Sequence, residues 1–122
     1  VTGVQTCALP ICKYGILREY GGHGIGSEMH MEPHVLNFGP AGLGPELQVG
    51  MALAIEPMIT RGSPQTKILS DDWTVVSADK SNGAHFEHTF CFAPDNKLFV
   101  LTAEDGGAER LGRLGIEIST LL

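Results

Sequence analysis

The sequence predicts an α+β chain in which antiparallel strands dominate and helices are few. Three observations carry that class. Residues 51–59 and 84–93 are apolar stretches of strand length whose side chains alternate in character. Sixteen glycines and seven prolines punctuate the chain at short intervals. Only residues 108–114 read as helix, and glycines interrupt them.

Taken in order, residues 16–20 form a short strand that feeds the stretch Gly22-His23-Gly24-Ile25-Gly26-Ser27-Glu28-Met29-His30-Met31-Glu32-Pro33. Glycine at alternate positions rules out a stable helix there, so an irregular segment holding two histidines is expected. Pro33 closes it, and residues 35–38 are extended. Residues 39–50 are rich in glycine and proline and make a surface connection. In the strand 51–59, Ala52, Ala54 and Glu56 share one face, and Pro57 bends the strand or leaves it open on one side. Gly62-Ser63-Pro64 and Ser70-Asp71-Asp72 are turns, and residues 73–76 form a strand opened by the only tryptophan. After the loop 79–83, the strand 84–93 places His85, Glu87, Thr89 and Cys91 on one face, with Phe86, His88, Phe90 and Phe92 on the other. Its aromatic side belongs to a core and its polar side to a site, aiming Glu87 where Glu56 meets it. Pro94-Asp95-Asn96 turns the chain into a hairpin partner at 97–102.

With 122 residues, 43% hydrophobic and 18% charged, the chain is one globular domain or a piece of one. A net charge of -6 weighs against nucleic acid or an anionic membrane as partner. No apolar run approaches the roughly 20 residues of a membrane helix, and no secretory leader pattern is present. Cys7, Cys12 and Cys91 show no zinc or redox spacing. Their odd number points to free thiols in a reducing compartment, the cytoplasm. Residues 1–11 resemble the conceptual translation of a sequencing-adaptor oligonucleotide, so residues 1–12 are expected to be a non-native scar outside the fold.

Carboxylates inside apolar strands are costly unless paired or metal-bound. Glu56 and Glu87 are two such groups, and with two loop histidines they form a nitrogen and oxygen donor set suited to Mn, Fe, Co or Zn.

An ordered series of motifs sharpens this: Gly-His-Gly-Ile-Gly at 22–26, His30, Met-Glu-Pro at 31–33, Ile-Glu-Pro-Met at 55–58, Asp-Trp-Thr-Val at 72–75 and Phe-Glu-His-Thr at 86–89. Together they resemble the C-terminal half of type I methionine aminopeptidases, over residues 14–103. Gly22 stands where that family often has cysteine, and Asp72 where it often has glycine. The resemblance implies the C-terminal half of a pita-bread fold, a curved antiparallel sheet with few helices, over residues 13–103, with 104–122 a peripheral tail. It implies two divalent ions (Co, Mn, Fe or Zn) in the intact enzyme. His23, Glu56 and Glu87 would be ligands, and two aspartates from a preceding half would complete the site. His30 would face the substrate and stabilise the oxyanion, while Met29 and Trp73 would wall a methionine pocket.

The implied reaction removes the N-terminal methionine of nascent proteins, a metal-bridging hydroxide attacking the first peptide bond with Glu56 relaying a proton. The intact enzyme would be a cytoplasmic monomer, and the present chain, lacking those aspartates, would be inactive. An aminopeptidase P or prolidase relative, or a non-catalytic binding module of the same fold, are the alternatives. The neighbourhood Glu87-His88-Thr89 favours the methionine type.

Overall fold

In the computed structural model the described residues are 13–39, 42 and 44–120. The expected scar at residues 1–12, with Cys7 and Cys12, lies outside them.

Ten short strands and one short helix follow one another. They are β1 (Gly15–Ile16), β2 (Gly22–Gly24), β3 (Met31–Val35), β4 (Ala52–Ile55), β5 (Met58–Thr60), β6 (Thr66–Ile68), β7 (Val75–Ser77), β8 (Gly83–His85), β9 (His88–Phe92), β10 (Leu98–Val100) and α1 (Ala108–Gly112). A five-stranded sheet has the order β10-β9-β4-β2-β3, a three-stranded one β1-β5-β8, and β6-β7 is a separate hairpin. All of these pairings are antiparallel.

The expected long strands 51–59 and 84–93 each divide in two, and they divide opposite each other. β4 pairs with β9 up to Ile55↔His88, and β5 pairs with β8 from Met58↔His85. The register does not slip between these pairs, so Glu56 stands opposite Glu87 and Pro57 opposite Phe86. Pro57 has no N–H to give to a ladder, which opens the pairing here. Phe86 N–H still donates to the Pro57 carbonyl at 3.3 Å. At this opening the chain passes from one sheet into the other and back.

The glycine stretch differs from expectation at its start. Gly22–Gly24 is a buried strand lying between β3 and β4, with a register shift against β3 between His23 and Gly24, while residues 25–30, with His30, are irregular as expected. Its glycines serve close backbone approach: a Cβ on Gly22 would lie 2.1 Å from the Ala54 carbonyl oxygen, and one on Gly24 2.2 Å from that of Glu32. The first strand ends at Ile16 rather than continuing to Tyr20, and the extended segment after Gly26 begins at Met31, through Pro33 rather than after it. The strand expected from Trp73 begins at Val75 instead, because Asp71 Oδ1 accepts the N–H groups of Trp73 and Thr74 and winds them into the hairpin turn. β6, which the sequence pattern did not mark, completes that hairpin.

Among the described residues, the buried apolar core consists of Leu17, Leu53, Ala54 and Ala93, centred on β4. The helix is α1, shorter than the expected 108–114 and without a buried residue. Beyond it the tail returns to the sheet, where Ile118 bridges to Leu98 and Ser119 N–H donates to the Leu98 carbonyl at 2.8 Å.

Candidate metal centre

Strand alternation assembles the site from the register just described. Residues opposed across an antiparallel ladder share a face, so Glu56 and Glu87 lie together, flanked on the same face by Ala54 and Thr89 on one side and by Met58 and His85 on the other. β2 adds His23, opposite Ala54 and also opposite His34 of β3. The small Ala54, fully buried, leaves room beside Glu56 for the imidazole.

Glu56 and His23 are buried, each 8% exposed. His23 Nε2 lies 3.3 Å from Glu56 Oε1, and His85 Nε2 lies 3.2 Å from Glu56 Oε2. His23 Nδ1 is 2.9 Å from the Gly24 carbonyl oxygen, which can only accept, so Nδ1 carries the proton and donates. In the neutral ring, Nε2 then presents its lone pair to a carboxylate oxygen, an arrangement that a cation between them satisfies. A metal-binding histidine characteristically gives its other N–H to such a carbonyl. Asn37, 1% exposed, donates from Nδ2 to the Glu56 carbonyl oxygen at 3.1 Å and fixes the backbone of the carboxylate from beneath.

Donor atoms of Glu56, His85 and Glu87 all lie within 4.8 Å of one another. Ligands at about 2.1 Å on adjacent positions of one ion are about 3.0 to 3.4 Å apart. The two imidazole-to-Glu56 separations fall in that range, so the nitrogen and oxygen donors present fit a divalent transition metal. Two carboxylates directly opposed across a ladder repel, and a cation reverses the sign of that interaction. Cys91 shares this face, but burial pushes its thiol pKa up, which keeps it protonated and a poor ligand.

Two cavities adjoin these residues and share Tyr20 and Met58. One of about 530 Å³ is lined by His23, His30, Met31, His34 and Glu56. The other, of about 1010 Å³, is lined by His85, Trp73, Thr60, Val76 and Leu17 among others. The His30 ring stands edge-on to His23, with ring centres 4.4 Å apart. Trp73 is 86% exposed and reaches the larger cavity from the β6–β7 turn. Met29 is 69% exposed and lines neither cavity, whereas Met31 lines the smaller one. Thus His23, His30, Glu56 and Glu87 gather, Trp73 borders the site, and Met29 does not join it. His85 is the residue that the sequence reading left unassigned. Its spacing of two from Glu87 on a strand was the available signal.

Comparisons with known proteins identify the family. The profile described as "Metallopeptidase family M24" matches residues 5–93, a span that includes residues 5–12 outside the described set. A protein of Mycobacterium tuberculosis named "Methionine aminopeptidase 1" is 52% identical over 95 residues, covering 77% of this chain and 36% of the relative. One of the same name from Bacillus subtilis is 49% identical over 77 residues, covering 63% of this chain and 31% of the relative. The crystal structure of methionine aminopeptidase from Rickettsia prowazekii superposes with a TM-score of 0.73 at 37% identity, covering 80% of this chain and 40% of that one. The Thermotoga maritima enzyme of that name gives 0.72 at 41% identity, over 78% and 38%. The chain spans about a third of the length of the curated relatives it matches.

Proposed function

This chain belongs to metallopeptidase family M24, with part of the pita-bread fold of methionine aminopeptidases, and we propose that it is one half of the catalytic domain of such an enzyme. The family is one of hydrolases that act on peptides with divalent metal. Residues 13–103 are read as the C-terminal half of the catalytic domain and 104–122 as its peripheral tail. The substrate would be the N-terminal methionyl peptide of nascent proteins, met in the cytoplasm by a monomeric intact enzyme. Among the described residues no helix is long and apolar enough to cross a membrane.

The observation that carries the reading is the opposition of Glu56 and Glu87 at the break between two sheets, with His23 Nε2 on Glu56 Oε1. A like-charge pair with an imidazole lone pair beside it is costly as pure structure and useful as a metal cradle. His23, Glu56 and Glu87 would hold two ions drawn from Co, Mn, Fe or Zn, together with donors from outside this chain. No aspartate precedes His23 among residues 1–22, and the two that the resemblance implies would be contributed by another segment. When bound, the ions would supply Lewis acidity that makes water nucleophilic near neutral pH.

The chain's own residues would do the rest. His30, beside His23 in the smaller cavity, would donate an N–H to the oxygen of the scissile carbonyl as charge develops there. Glu56 would take a proton and pass it to the departing amine. Trp73 would offer an apolar wall to the methionine thioether, while Met29, the other residue expected there, stands away from both cavities.

The experiment compares the 122-residue chain with a chimera in which it follows the first half of the Mycobacterium tuberculosis relative. Calorimetry with Mn(II) and methionine release from a Met-Ala-Ser peptide are measured on both. Two-ion binding and release by the chimera alone is the expected result. A folded chimera that binds no metal, or whose Glu87→Ala form binds it equally well, overturns the assignment.

A further inference from the structure

We propose that His85 is an additional ligand of this metal centre, acting through Nε2; the inference rests on the metallopeptidase reading above. His85 closes β8 where the ladder opens, opposite Met58 and two residues before Glu87. Alternation therefore turns its ring to the face that carries both carboxylates. Its Nε2 meets Glu56 Oε2 at 3.2 Å, the oxygen that His23 does not face, and its donor atom lies within 4.8 Å of Glu87 as well. The three donors come from this chain alone, one nitrogen and two oxygens, the mixture that divalent transition metals accept while keeping open positions.

Packing does not explain the placement. The His85 side chain is 49% exposed, while Glu56, which it contacts, is nearly buried at 11%. The contact is therefore held by the Glu56 carboxylate, through an N–H of the ring or through a cation that the two share. Because His85 borders the larger cavity and His23 the smaller, a histidine at each oxygen of Glu56 extends the donor set toward the Trp73 side. The competing use of His85 is a plain N–H donor that holds Glu56. His85→Gln separates the two, since a glutamine amide keeps an N–H for the carboxylate but loses the imidazole nitrogen.

The test follows each histidine ring separately. The 122-residue chain and the chimera are prepared with ¹⁵N-histidine, and Zn(II) alone is added while the ring nitrogens are read through their carbon-bound protons. The Nε2 signals of both His23 and His85 are expected to move to metal-bound positions together, and His85→Gln is expected to weaken Zn(II) at least about tenfold. Movement at His23 with His85 unchanged overturns the inference and leaves the metallopeptidase reading standing. Movement at neither ring in the folded chimera overturns that reading itself. A His85→Gln variant that binds Zn(II) as tightly as the parent chain also rejects His85 as a ligand.

Discussion

Glu56 and Glu87 face each other where an antiparallel ladder opens, between Ile55↔His88 on one side and Met58↔His85 on the other. Opposed like charges weaken a sheet, so this pair costs stability when no cation lies between them. Glu87→Gln is accordingly expected to raise the stability of the metal-free protein by about 0.5 kcal/mol. The same change is expected to weaken divalent metal at least about tenfold, since even outer-shell partners of metal ligands contribute that much. Urea midpoints with and without Mn(II), with calorimetry on the same samples, read both effects. A metal-free Glu87→Gln protein less stable than its parent contradicts the account.

Asn37 acts on the site through the backbone. Its side chain is almost fully buried and gives Nδ2–H to the Glu56 carbonyl oxygen, a group that the open ladder leaves without a strand partner. Asn37→Ala removes the donor and leaves that carbonyl buried, at a cost of about 1–3 kcal/mol. The measurement is the denaturation midpoint, and metal affinity should fall with it because Glu56 is no longer held against His23. Unchanged stability would mean that water or another donor replaces the amide.

Gly24 tests the packing of β2. A Cβ there would stand 2.2 Å from the Glu32 carbonyl oxygen and 3.0 Å from that of Met31, both backbone atoms that cannot move without separating β2 from β3. Gly24→Ala is expected to destabilise by about 2 kcal/mol or more, within the range of overpacking in a closed core. His23, one residue earlier, should lose its edge-on contact with His30, seen as changed ring-proton shifts for both. A variant as stable as the parent would show that the strands are looser than the geometry states.

How much of this was legible in the sequence depends on which force set each element. The strands carrying Glu56 and Glu87 were legible from their apolar, β-prone composition, and period-two alternation put the carboxylates on facing sides, although the aromatic face expected to be core is not buried: Phe86 is 64% exposed and β9 is half-buried throughout. The bend at Pro57 was legible for the same local reason. Gly22–Gly24 was not: glycine has poor strand propensity, and this strand exists because its neighbours need a backbone without side chains between them. β6 was hidden because Thr66-Lys67-Ile68 is mostly exposed and is held by the Asp71 turn rather than by burial. His85 was visible on the correct face, yet only the distance to Glu56 distinguishes it from an ordinary exposed histidine.

Strong acid should release one loop pair through a single carboxylate. Asp79 accepts the Ser63 N–H at 2.7 Å and the Ser81 N–H at 2.9 Å, tying the turn after β5 to the loop before β8. The hydrogen bond from Ser63, then those from Ser81, lower its pKa from 3.8 to about 2. A pKa depressed in the folded state means the contribution is complete above 3.8 and is lost as pH falls through about 2. The Ser63 and Ser81 amide signals should therefore titrate together with a midpoint near 2, and Asp79→Asn should remove that step while leaving neutral-pH shifts elsewhere unchanged. A midpoint at the ordinary 3.8 would show that Asp79 is solvated and that the two loops are not joined through it.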